Sequence, residues 1–86
     1  MDKPEVTVRF YAALRARAGT DEVLFRAASV RDVIRHLKKN FGKDFNRTLN
    51  SCHIFLNEEN IVFMRGASTR LKEGDTLHIL PPTGGG

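Results

Sequence analysis

One segment narrows the choice of folds more than any other. In SVRDVIRHLKKNFG, residues 29–42, the apolar Val30, Val33, Ile34, Leu37 and Phe41 recur at helical spacing, with Arg31, Arg35, Lys38 and Lys39 on the opposite side. Ser29 has the chemistry of an N-cap, Asp32 stands where an acidic side chain reaches back in a capping box, and Gly42 predicts a left-handed stop. A single short helix with one apolar stripe must lay that stripe on another element. The segments around it have strand period. EVTVRF alternates Val6, Val8 and Phe10 against Thr7 and Arg9, and EVLFR puts Val23 and Phe25 on the core side and Leu24 on the other. CHIFLN and IVFM read as a hairpin around residues 57–60, and a last strand spans Thr76 to Leu80 after the Glu73-Gly74-Asp75 turn. In that strand Leu77 and Ile79 face the core while His78 and Leu80 face away from the helix. YAALRARAGTDE has Ala-rich helical character, and KDFNRTLNS reads as an irregular polar connection. The order β-β-α-β-β-β predicts an α+β domain, a small mixed sheet crossed by one amphipathic helix, with the first strand parallel to the last.

Composition excludes several classes of function. At 86 residues the chain is expected to form one domain with a modest core and no deep internal active site of its own. No apolar run approaches the ~20 residues that cross a bilayer, and MDKPEVTVRF lacks the features of a secretory signal, so a cytoplasmic protein with no membrane partner is expected. Cys52 is the only cysteine, which rules out an intrachain disulfide, and it is read as a small hydrophobe in or beside a strand. His36, His53 and His78 are scattered with no ligand at metal spacing, so no metal site is expected. The net charge of +4 is concentrated between Arg26 and Arg47. Without a recognition motif or interleaved aromatics, that charge reads as a solvated helix face, and no direct nucleic-acid binding is expected. No Ser-His-Asp set, carboxylate pair or phosphate loop is present; Asp44, Glu58 and Glu59 read as solubilising loop residues.

The chain finishes with LPPTGGG. Residues 1–82 are expected to form the domain and residues 83–86 a flexible glycine tail. Pro81 and Pro82 fix φ and remove backbone donors, ending the strand and stiffening the base of the tail. Thr83, Gly84, Gly85 and Gly86 supply reach, and the glycines lack the Cβ that would block a narrow channel. A frayed end would not account for two prolines set directly after a strand.

VRFYAALRARAG and LKEGDTLHILPPTGGG resemble the opening and the ending of the MoaD-type sulfur carrier, the small subunit of molybdopterin synthase, in the ubiquitin-like MoaD/ThiS superfamily. The resemblance spans essentially the whole chain and implies a β-grasp fold. It implies that the carboxylate of Gly86 is adenylated by an E1-like enzyme, using ATP and magnesium, and becomes a thiocarboxylate. The carrier then gives sulfur to a pterin precursor in the large synthase subunit. It further implies that no cofactor is bound and that the chain is a sulfur-donating subunit whose general acids and bases lie in the partner. Where relatives often have Ser or Ala before the diglycine, this chain has Gly84, as a variant of the tail or through an added glycine; in the second case the terminus is Gly85. Leu80 and His78, beside the tail on the open face, are expected to meet the partners, as is Tyr11 by its place in RFYAALR. Phe55 and Phe63 are further candidates, at least one of which is expected in the core. The alternatives are a carrier for tRNA thiolation or a ubiquitin-related protein modifier, and, in a different class, a non-reactive ubiquitin-like binding module.

Overall fold

The computed structural model describes residues 3–82; Thr83, Gly84, Gly85 and Gly86 lie outside the described residues, as do residues 1 and 2. Five strands form one mixed sheet: β1 (Glu5–Phe10), β2 (Glu22–Arg26), β3 (His53–Leu56), β4 (Glu59–Asn60) and β5 (Thr76–Leu80), in the order β2-β1-β5-β3-β4. The first and last strands are parallel, with Val8 beside Leu77 and Phe10 beside Ile79, and the other pairings are antiparallel. The parallel pairing of the first and last strands is the one the element order implied. Side chains alternate through the sheet. Val6, Val8, Phe10, Ile54, Leu56, Leu77 and Ile79 enter the core, and Val23 and Phe25 pack at its edge.

The helix α2 (Val30–Phe41) covers that inner face through Val30, Val33 and Leu37, all buried. Its start is capped twice. The Ser29 hydroxyl accepts from the Asp32 N–H at 3.3 Å, and the Asp32 carboxylate accepts from the Ala28 N–H at 3.2 Å, one residue earlier than a standard capping box. Its stop differs from the expected left-handed well: Gly42 has φ 89° and ψ −177°, a combination essentially restricted to glycine.

Two helices besides α2 complete the layer. The Ala-rich segment is α1 (Ala12–Ala18), which buries Leu14. KDFNRTLNS is not an irregular connection: Lys43–Leu49 forms helix α3, with Phe45 and Leu49 buried. The reason is local. Phe45 and Leu49 are four residues apart, so one helical turn puts both on the core side. There Phe45 meets Phe10 edge-on at 5.5 Å and stacks on Phe41 at 4.6 Å, tying β1, α2 and α3 together.

The expected hairpin is also shorter than its sequence implied. After the Asn57-Glu58 turn, β4 lasts two residues and IVFM leaves the sheet, with Ile61–Phe63 forming a 3-10 turn. Asn60 causes the exit, its side-chain oxygen accepting from the Val62 N–H at 3.0 Å and capping the turn. Phe63 is consequently 79% exposed. Truncating the two phenylalanines should therefore have unequal effects. Phe45→Ala is expected to cost about 3–5 kcal/mol in urea unfolding, and Phe63→Ala less than about 0.5 kcal/mol.

Candidate functional site

All three helices pack on one side of the sheet, so the other side carries whatever the sequence places at the alternate positions. Across its middle, Glu22 pairs with Arg9, Arg9 lies beside His78, and His78 lies opposite Phe55. Arg9 and Glu22 form an ion pair at 2.7 Å. Leu80 stands opposite His53. Leu24, beside Thr7, remains an apolar spot, 56% exposed.

Tyr11 completes this surface. It directly follows β1 in extended conformation, and its hydroxyl lies 2.8 Å from His78 Nδ1, donating when that nitrogen is unprotonated. The next residue, Ala12, has φ of +52°, a left-handed turn costing a side-chain-bearing residue roughly 1–2 kcal/mol. That turn sends Tyr11 to the open face while Leu14 enters the core.

Tyr11, Phe55, Asn57, His78 and Leu80 line one shallow depression. Four of the five expected partner-binding residues thus come together. Phe63 does not; it projects beside Val62 and Met64 on the 3-10 turn. The expectation that Phe55 or Phe63 joins the core fails for both, because Phe55 has outward parity in β3 and Phe63 left the sheet. Asn57 was not anticipated. Its signal lies in the turn: it has φ of +56°, a conformation Asn tolerates better than most residues. Its side-chain oxygen accepts from the Thr76 N–H at 3.1 Å, and its amide donates to Asp75 at 3.2 Å. Asp75 also accepts from the Lys72 N–H at 2.7 Å, so the Gly-Asp turn holds the start of β5 and the edge of the depression together.

The depression contains a phenol, an imidazole and apolar surface in shallow, open geometry. Such a surface suits docking, with aromatic anchors and a polar rim, rather than enclosure of a small molecule. At its end β5 runs into Pro81, half-buried, and Pro82, exposed. The expected tail-threading residues Thr83, Gly84 and Gly85, and the expected reactive residue Gly86, lie outside the described residues.

Cys52 sits just before β3, partly buried against the core, and its thiol donates to the Thr48 carbonyl at 3.2 Å. Burial pushes this thiol up from its ordinary value, disfavouring the thiolate. Among the described residues there is no group of three metal-ligating side chains, and no helix is long and apolar enough to cross a membrane.

Comparison with known proteins places these features in a family. The model of the ThiS family matches residues 8–86. Small archaeal modifier protein 3 of Haloferax volcanii is 28% identical over 91 residues, covering 95% of this chain and 99% of that protein. The solution structure of small archaeal modifier protein 1 from Methanosarcina acetivorans is 32% identical with a TM-score of 0.81, covering 96% of this chain and 97% of that one. A structure of the complex of subunits 1 and 2 of molybdopterin-converting factor from Helicobacter pylori matches with 26% identity and a TM-score of 0.73, over 95% of this chain and 99% of that one. The mixed sheet under its helices is thus the α+β, ubiquitin-like β-grasp arrangement.

Two measurements test the site's description. Tyr11→Phe removes one partly buried hydrogen bond and is expected to lower stability by about 1 kcal/mol, read from denaturant midpoints. Alkylation of Cys52 by iodoacetamide at neutral pH should be slower in the folded protein than in the unfolded chain, with its rise displaced to higher pH; faster reaction in the folded protein would contradict the burial argument.

Proposed function

The chain belongs to the ThiS family of ubiquitin-like sulfur carriers, and from that premise we propose that the carboxylate of Gly86 is the group that carries the sulfur. Adenylation of that carboxylate by an E1-like enzyme, using ATP and magnesium, makes an acyl phosphate anhydride. A sulfur nucleophile displaces AMP from it and leaves a thiocarboxylate. We propose a pterin precursor as the acceptor, in the synthesis of molybdopterin, with the large synthase subunit as the second partner. The Helicobacter pylori complex of the two converting-factor subunits supports this acceptor.

The observation that carries the reading is the setting of the tail base. Tyr11, Phe55, His78 and Leu80 form an open aromatic and apolar surface around the end of the strand that leads into Pro81 and Pro82. A partner that grips this surface receives the tail with its direction already set. The two prolines hold the root stiff, so less conformational entropy is lost on insertion. The chain supplies sulfur and geometry, and the proton transfers belong to the partners.

A second reading has support of its own. Two of the relatives are named small archaeal modifier proteins, which favours attachment of the same activated carboxylate to a lysine amine. Both readings require adenylation and part only at the nucleophile.

Incubation with ATP, magnesium, a sulfur donor and the host's adenylating enzyme is expected to raise the intact mass by one oxygen-to-sulfur exchange. A chain ending at Thr83 should gain nothing. Adding pterin precursor and large subunit should then return the mass to its starting value, whereas a modifier would appear joined to lysines. No mass change, with the enzyme active on another carrier, would leave a non-reactive binding module as the better reading.

A further inference from the structure

Pro81 and Pro82 border a second feature, on the helix side of the tail base. A groove runs between α1 and α3, lined by Ala12, Ala13, Thr48 and Ser51, with Arg17 and Arg47 along it. The two arginines come from different helices, and both are exposed. Arg9, Arg15, Arg26 and Arg35 each have a carboxylate within ion-pair distance, at 2.7, 3.8, 3.8 and 3.6 Å. Among the described residues Arg17, Arg31, Arg47, Arg65 and Arg70 have none, and of these Arg17 and Arg47 are the two that line this groove. Two guanidinium groups are thus placed beside small, uncharged walls next to Pro81 and Pro82, with no carboxylate among the described residues within ion-pair distance of either.

We propose that this groove receives an acidic segment of the adenylating enzyme, whose carboxylates pair with Arg17 and Arg47 and fix the direction in which Pro82 leads the tail into the active site. The inference rests on the carrier reading given above. Charge complementarity supports the occupant, because guanidinium forks match carboxylates in paired geometry. Continuity supports it too: Tyr11 lies in the open-face depression and Ala12 in the groove, so one enzyme could hold the tail base from both sides. The helix dipole offers a simpler reason for a cation in the last turn of α1 or α3, but not for the convergence of one from each on the same groove.

The test is ATP–pyrophosphate exchange by the host's adenylating enzyme, with the full chain as the varied substrate. The variant R17E/R47E is compared with K38E/K39E, which changes the net charge equally on the solvent side of α2. For R17E/R47E, KM should rise about tenfold or more with kcat unchanged, since exposed charge pairs act on encounter and docking. K38E/K39E should change KM less than about twofold, as expected of charges outside the contact. The wild-type KM should rise with salt and that of R17E/R47E should respond less. Thermal melts check the folding of each variant, and R17A/R47A replaces the charge reversal if that fails to fold. Equal KM for R17E/R47E and wild type, or equal losses in the two charge-reversal variants, would overturn the inference while leaving the carrier reading intact. No exchange with the wild-type chain, by an enzyme active on another carrier, would overturn both.

Discussion

The parallel pairing of β1 with β5 is the contact on which the rest of the molecule depends. These two strands occupy the middle of the sheet, and every other strand is added outward from them. Val8 beside Leu77 and Phe10 beside Ile79 form the floor on which α2 lies. The same pairing sets the functional geometry. It brings the end of β1, with Tyr11, to the end of β5, with His78 and Leu80, and so places an aromatic ring beside the root of the tail.

Strand alternation then divides the labour between the faces. On the inner face the alternate residues are aliphatic or aromatic and are covered by helices, where burial contributes most of the stability. The outer face has no helix over it and bears a row with an ion pair at one end and Phe55 at the other. Tyr11, Phe55 and Leu80 are the large apolar residues of that face nearest Pro81, and they stay only partly buried because nothing among the described residues covers them. The left-handed turn at Ala12 is tolerated because it serves both faces, sending Tyr11 outward and Leu14 inward.

Much of this was legible in the sequence because the signals were periodic and capped. The stripe of α2, its Ser29 and Asp32 caps, the alternation of β1 and β5, and the parity of His78 and Leu80 all survive in the structure. What the sequence hid was short. Helix α3 has seven residues, too few for its Phe45–Leu49 spacing to stand out against a polar background. IVFM has the composition of a strand, but one side-chain hydrogen bond from Asn60 turns it into a 3-10 segment. Asn57 joined the depression through a turn conformation whose one local cue is the residue type, whereas Arg17 and Arg47 came to line one groove through the packing of two helices far apart in the chain, which no local pattern shows.

The central pairing also has a temporal side. Because β1 and β5 come from opposite ends of the chain, a polypeptide emerging from the ribosome can form the β1–β2 hairpin and α2 but cannot close the sheet until β5 has been made. The depression comes into being with that last closure, since His78 and Leu80 lie on the closing strand and Tyr11 gains its hydrogen-bond partner only then. A chain that lacks β5 therefore has no assembled depression. The depression is therefore a property of the closed sheet and of no single segment of the chain.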